Sequence, residues 1–169
     1  VYKRQKVIFQ VREKVCKGEL GASQVWFPSA LVDVVVVDPE QRQGYELIYD
    51  PSISGEQQDA KYQSEKPAFS VRLAIARRAR LELFKGAVIN FGFGIPDQVA
   101  ALIPQYGESE EYYQTIEHGT YGGNLLMGNL FGYAKNPTCM IDGPSQFDFY
   151  SGGGLDVAFL GFGQIDQEG

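Results

Sequence analysis

Hydrophobic and polar positions divide the chain into two apolar regions with a hydrophilic stretch between them. In the first region, Lys6-Val7-Ile8-Phe9-Gln10-Val11 reads as a strand, rich in β-branched and aromatic residues. A charged segment follows through Lys17-Gly18-Glu19-Leu20-Gly21, and Phe27-Pro28 breaks the chain before Leu31-Val32-Asp33-Val34-Val35-Val36-Val37. That run is too short to span a bilayer and contains Asp33, so it reads as a buried strand. From Asp38 to Pro67 the chain turns hydrophilic, punctuated by Pro39, Gly44, Pro51 and Gly55, as in a connector between domains or half-domains.

The second region alternates between helical and extended periods. Ser70 opens a helix whose Val71, Ile75, Ala79 and Leu83 fall on one i,i+4 row, with Arg72, Arg77, Arg78 and Arg80 over the remainder. The arginines read as a solvated face rather than a phosphate site, and Arg78 is spaced to pair with Glu82. Lys85 suits the negative helix end, and Gly86 is placed for a left-handed cap. Ala87-Val88-Ile89-Asn90-Phe91 is a strand, Gly92 to Ile95 a glycine turn, and Pro96 a natural opening for the helix that runs through Asp97 to Ile103. Tyr112 to Ile116 gives a strand ending at Glu117, and Leu155 to Leu160 another ending at Gly161-Phe162-Gly163. This order predicts an α/β fold with a mainly parallel sheet and helices flanking both faces. Ligands of such sheets bind beyond the carboxyl ends of the strands, where Asn90, Glu117 and Gly161 all fall.

Composition narrows the function. At 169 residues, 44% hydrophobic and 21% charged, the chain has the make-up of a globular protein with a core. Its 20 glycines follow no repeat and gather in the second half. A net charge of -6 disfavours non-specific nucleic-acid binding, which needs clustered Lys and Arg. Cys16 and Cys139 are far apart and outside any paired motif, which points away from a disulfide framework or zinc site and towards a reducing cytoplasm. A single His leaves little for metal clusters or Ser-His-Asp catalysis. The chain opens on Val1 without a secretory pattern and closes at Asp166-Gln167-Glu168-Gly169, and it reads as an internal stretch of a longer protein.

The candidate chemistry lies in Thr115-Ile116-Glu117-His118-Gly119-Thr120-Tyr121-Gly122-Gly123. A carboxylate ends an apolar run and is followed by glycines that let another molecule approach the backbone. Asn90-Phe91-Gly92-Phe93-Gly94-Ile95-Pro96 and Ser151-Gly152-Gly153-Gly154-Leu155-Asp156 flank it. Gly92-Phe93-Gly94 does not complete a dinucleotide fingerprint, because Asp97 stands where the third glycine belongs and would set negative charge against a pyrophosphate. A Walker-type Gly-Lys-Ser/Thr is also missing from the sequence. Singly, each glycine turn is an ordinary tight βα connection; around one carboxylate they point to a site. His118 is expected to turn away from Glu117, as neighbouring side chains of a strand do. Phe147-Asp148-Phe149-Tyr150 reads as core or pocket wall, and Asp142 and Asp156 as turn and strand-end residues.

These three motifs, in this order, resemble the family I CoA-transferases, and most of all the acetate/propionate CoA-transferases that carry both halves of the enzyme on one chain. The resemblance covers nearly the whole chain. It implies that residues 1–37 end the first half, 38–67 connect, and 68–169 begin the second half, which bears the catalytic glutamate. It further implies Glu117 as covalent nucleophile, Asn90 as a contact to the reacting carbonyl, Gly92 and Gly94 as substrate-binding turn residues, and Gly161 as part of the oxyanion site. Family members use no metal or permanently bound cofactor, take coenzyme A as substrate, and commonly form homo-oligomers. His118 departs from the small or amide residue frequent in the middle of the Glu-x-Gly motif. Two other readings stay open on the residues: a CoA-ester hydrolase using the same glutamate, and a ligand-sensing module of related fold without covalent chemistry.

Overall fold

The computed structural model describes residues 6–64 and 66–168, which divide into two compact units, one up to Tyr49 and one from Asp50. In the first, β1 (Ile8–Val11) and β2 (Val34–Val37) pair in parallel with Ile8 opposite Val34 and Val11 opposite Val37. Asp33 starts the second strand by accepting the Val7 N–H at 2.9 Å, and Asp38 ends it by accepting from the Gln10 side chain at 3.0 Å. The valine run is the strand that its branched side chains favour, but the expectation of burial fails: Val34 to Val37 are all exposed. The unit's other assigned elements are short single turns, Ala22–Gln24 and Ser29–Leu31, and none is a helix long enough to cover the ladder.

The second unit holds the helices. Ser70, in extended backbone, caps α1 (Val71–Arg80) by accepting the Leu73 N–H at 3.1 Å. Then come β3 (Val88–Phe91), α2 (Ile95–Gln105), β4 (Tyr113–Thr115), β5 (Thr120–Tyr121), β6 (Asn124–Leu125), β7 (Ala134–Lys135), β8 (Cys139–Met140), α3 (Gly143–Phe149), a π-helical turn (Tyr150–Gly154) and β9 (Val157–Phe159). A five-stranded sheet runs in the order β8-β5-β4-β3-β9. Its centre is parallel, β3 pairing with β4 on one side and β9 on the other, and β5 and β8 extend it antiparallel. The α/β expectation holds, with a mixed sheet. No helix among the described residues is long and apolar enough to cross a membrane.

The core lies where α1 and α2 meet one face of this sheet. Leu73, Ala76, Ile89, Phe91, Val99, Leu102 and Ile103 are buried together, with Val157 and Phe159 packed against them. The Phe91 and Phe159 rings stack 5.8 Å apart across the β3–β9 pair. Full burial of each large apolar side chain is worth about 1.5–3 kcal/mol, so this face anchors the unit. The pleat sends Asn90, Thr115 and Ala158, which lie in one register row, to the other face.

Two details of α1 depart from the periodicity. Val71 is 79% and Ile75 47% exposed, while Leu73 and Ala76 face the core and Ala79 and Leu83 flank it. Arg80 sets this rotation: its side chain pairs with Glu108 (Nε to Oε2 2.8 Å) and its guanidinium lies 3.7 Å from the Tyr106 ring centroid, just after α2. Arg80 is thus not part of a solvated face, whereas Arg78 makes the expected exposed pair with Glu82. The helix also ends at Arg80, so Gly86 forms the turn into β3 rather than a helix cap, its N–H meeting the Glu111 carbonyl at 2.8 Å.

The hydrophilic stretch is not loose after Tyr49. Ser52 and Ile53 are buried, and Asn136 grips the segment by donating its N–H to the Ser52 carbonyl (2.8 Å) and bonding both the N–H (2.8 Å) and the carbonyl (3.0 Å) of Asp59. Lys135 pairs with Asp50 and lies 3.9 Å from Asp59. Its hydrogen bond, reinforced by Ser52, holds the Asp50 carboxyl below the usual carboxylate range. A group with a lowered folded-state pKa stabilises above its unfolded value and loses that contribution as pH falls through the folded value. Lys135→Met should therefore lower stability at neutral pH by about 1–3 kcal/mol. In thermal unfolding followed by circular dichroism, the gap to wild type should close as the solution is acidified below pH ~4. A gap independent of pH would show that the clamp is not ionic.

Candidate active site

The order β4-β3-β9 makes β3 the point from which connections leave in both directions, and a crevice opens at the carboxyl ends of strands around such a point. Three loops meet there: Gly92-Phe93-Gly94 after β3, Ile116 to Gly119 after β4, and Leu160-Gly161 after β9. Asn90, on β3, is 8% exposed, and its Oδ1 is buried without a hydrogen-bond partner. It pairs in register with Thr115, two residues before Glu117. Glu117 itself stands at the first corner of the turn that the Gly119 N–H closes on the Ile116 carbonyl at the carboxyl end of β4. Glu117 is half-buried, and its Oε2 is also enclosed without a partner. Orphaned acceptors on β3 and on the turn after β4 call for a ligand or a role, since an unmade buried hydrogen bond costs about 1–3 kcal/mol.

The turn after Glu117 is set by packing. Gly119 has φ +106, and a Cβ on it would collide with the Ile141 carbonyl. Its N–H bonds the Ile116 carbonyl (2.9 Å) and its carbonyl accepts from Ile141 (2.9 Å), closing the turn against the strand that leads into α3. Ile116, fully buried, anchors the near side. His118 turns outward as expected: its Nε2 lies 2.6 Å from the Gly132 carbonyl, which also accepts from the Thr120 hydroxyl at 3.2 Å. It pins the β6–β7 loop and leaves Glu117 alone.

The flanking turns are tight for stated reasons. Gly92 donates its N–H to the Phe159 carbonyl at 2.8 Å, and a Cβ there would stand only 3.0 Å from that oxygen, so the β3–β9 contact leaves no room for a side chain. Gly94 caps α2 and gives its N–H to Asp97 Oδ2 at 3.2 Å. Asp97 is buried, and burial raises its pKa against the pull of the Gly94 and Gly128 N–H groups. The start of α2 is therefore answered by the protein's own carboxylate, which is the charge conflict that argued against a dinucleotide there. Gly161 is exposed, its Cβ position 3.6 Å from the Phe93 carbonyl across the mouth of the crevice.

The residues that the sequence pattern did not single out lie on the far wall. The Tyr150 hydroxyl hydrogen-bonds the Thr115 hydroxyl, which itself donates to the Ile89 carbonyl at 2.8 Å. Burial raises the Tyr150 pKa, with the Glu117 charge adding to it. Gln146, 0% exposed, rests against the Tyr121 and Tyr150 hydroxyls without a well-formed bond to either. Asp142 caps α3 through the Ser145 N–H (2.8 Å), and Asp156 accepts the Val88 N–H (2.8 Å). Of the aromatic segment, Tyr150 is a wall and Phe147 is exposed. A one-turn π element is invisible to hydrophobic periodicity; the usable signal was Thr115, two residues before Glu117. A cavity of about 650 Å³ lies at the amino ends of β3 and β4 between Lys85, Tyr112 and Gly123; Tyr121 to Gly123 of the glycine-rich segment line it, but Asn90, Gly92, Gly94, Glu117 and Gly161 do not.

Fold and crevice together define an α/β protein with a carboxylate-centred site at the carboxyl edge of its parallel strands. No family model matches the chain. Among curated proteins it is 41% identical over 165 residues to acetate CoA-transferase YdiF of Escherichia coli K12, covering 96% of this chain and 31% of that protein. It is 37% identical to caffeate CoA-transferase of Acetobacterium woodii, over 96% of this chain and 32% of that one. The crystal structure of acyl-CoA transferase YdiF apoenzyme from E. coli O157:H7 superposes with a TM-score of 0.81 at 38% identity, over 97% of this chain and 30% of that chain. A thioester complex of the E. coli O157:H7 enzyme with CoA superposes with a TM-score of 0.79 at 38% identity, over 96% of this chain and 31% of that one. The chain is a homologue of CoA-transferases and shares their fold. It spans about a third of the length of the curated relatives it matches (31% and 32%).

The Glu117 turn should be intolerant of any side chain at Gly119. Gly119→Ala combines a left-handed φ with a backbone collision and should cost upward of about 1–3 kcal/mol, visible as a lowered urea midpoint. An unchanged midpoint would mean that the turn can relax and does not rigidly place Glu117.

Proposed function

We propose that this chain carries the nucleophile of an acyl-CoA:carboxylate CoA-transferase that moves CoA between a short-chain acyl-CoA and a free carboxylate such as acetate or propionate. The observation that carries this reading is Glu117 Oε2, enclosed and unpartnered on the turn after β4, with Asn90 Oδ1 on the paired strand β3 also unpartnered, in a chain homologous to CoA-transferases. In this proposal residues 1–37 close the first half of the enzyme, 38–67 connect, and 68–169 open the catalytic half; the protein works as a homo-oligomer in the cytoplasm. Two free, exposed cysteines support the reducing compartment.

Ionised Glu117 attacks the thioester carbonyl; the C–S bond breaks, leaving an acyl-glutamyl anhydride and CoA thiolate. The thiolate attacks the glutamyl carbonyl, the bond from the glutamyl carbon to the bridging oxygen breaks, the first carboxylate leaves with that oxygen, and a Glu117–CoA thioester remains. An incoming carboxylate reverses the steps and departs as the new acyl-CoA, so the thioester energy is conserved. Each tetrahedral stage carries an oxyanion, which in this proposal the Asn90 side-chain amide and a backbone N–H of the Gly161 turn receive, while Gly92 and Gly94, whose N–H groups bond Phe159 and Asp97, shape the substrate-binding turn. A carboxylate is a weak nucleophile in water, so enclosure and orientation supply much of the acceleration.

With the full gene product, acetyl-CoA and a panel of labelled short carboxylates, label should enter the CoA-ester pool only when an acceptor acid is present. Glu117→Ala should abolish transfer, and Asn90→Ala should slow it ~10²–10³-fold. Transfer surviving in Glu117→Ala, or loss of acetyl-CoA to water at the same rate without acceptor, would overturn the assignment.

A further inference from the structure

We infer that Tyr150 is a positioning residue for Glu117: by tying the π-helical turn after α3 to Thr115, it fixes the carboxyl end of β4 from which the nucleophile projects. This rests on Glu117 being the nucleophile, as proposed above. The geometry behind it is a chain of three groups. Thr115 has one hydroxyl proton, and it is donated to the Ile89 carbonyl on β3 at 2.8 Å. The bond between Thr115 and Tyr150 must then use the phenol proton. The order Tyr150 O–H to Thr115 O–H to Ile89 C=O spans the π turn, β4 and β3, the last of which carries Asn90 next to Ile89.

This arrangement has two effects on the neighbouring carboxylate. It holds the last residue of β4 against β3, so that the two-residue step to Glu117 starts from a fixed point. It also commits the phenol proton away from Glu117, whose Oε2 stays enclosed with no hydrogen bond. A carboxylate loses nucleophilicity with each strong donor it accepts, so a wall that encloses without donating suits attack on a thioester. Gln146 of α3, fully buried, rests against the Tyr150 hydroxyl from the other side.

The test uses the full gene product, wild type and four variants: Tyr150→Phe, Thr115→Val, Thr115→Ser and the double Tyr150→Phe/Thr115→Val. Each is measured for kcat, KM for acetyl-CoA, and the fraction of Glu117 trapped as borohydride-reducible thioester. Tyr150→Phe should lower kcat roughly 10–100-fold with little change in KM, because a displacement of about 1 Å costs rate rather than ground-state binding. Thr115→Val should do the same, the double variant should be no worse than either single one, and Thr115→Ser, which keeps the hydroxyl, should restore the rate. A Tyr150→Phe enzyme with wild-type kcat, or one with lowered unfolding midpoint and unchanged kcat, overturns the inference while leaving Glu117 in its role. If wild type itself traps no thioester on Glu117, the underlying functional reading fails instead.

Discussion

The parallel pairing of β3 with two neighbours governs everything at the crevice. Because β4 and β9 run beside it in the same direction, three strands end together and their loops converge on one edge. Register matters as much as direction. Ile89 and Phe91 are sealed into the α1–α2 core, which leaves Asn90 no choice but the opposite face. Sliding β4 by one residue would exchange the faces of Gln114 and Thr115 and remove the partner of Tyr150. The apolar core on one side thus dictates the polar constellation on the other.

That constellation is defined by what is left unmade. Most buried polar atoms in a folded protein find partners, and several groups here do: Asp97 answers Gly94, Asp156 answers Val88, and Asp142 answers Ser145. Gln98 Oε1 and the Gln146 amide do not, and neither do Asn90 Oδ1 and Glu117 Oε2. The surrounding structure spends stability to hold them so, through a left-handed Gly119 pressed on Ile141 and a His118 engaged elsewhere. A site that keeps acceptors waiting fits a reaction in which one of them must attack.

Much of this was legible in the sequence, and for physical reasons. Strands built of Val, Ile and aromatic residues were found within a few positions, and the three glycine turns marked the loops that converge. Asn90, Glu117 and Gly161 were placed at one edge by element order alone, and His118 was turned away by strand alternation. Where tertiary packing decides, the pattern failed. The face of α1 followed Arg80's attachment to Glu108 and Tyr106 rather than the Val71–Ile75 row. The Val34 to Val37 strand looked buried because valine runs normally are, yet burial depends on what covers a strand, not on its own residues. The short strands between Thr120 and Met140 carry two residues each, too few for any period to show. Tyr150 was read as a wall without its bond to Thr115, because that contact links residues 35 apart through a π turn.

In the proposed reaction the Glu117 carboxylate forms a covalent bond to the cargo. Attack by an acceptor carboxylate on a glutamyl thioester leaves one acceptor oxygen bridging the anhydride, and return of the thiolate leaves that oxygen on the glutamate. Turnover with an acceptor acid labelled with heavy oxygen, followed by mass analysis of the peptide holding Glu117, measures this directly. Label accumulating in the Glu117 side chain with turnover is the predicted result; efficient transfer with that side chain unlabelled would contradict it.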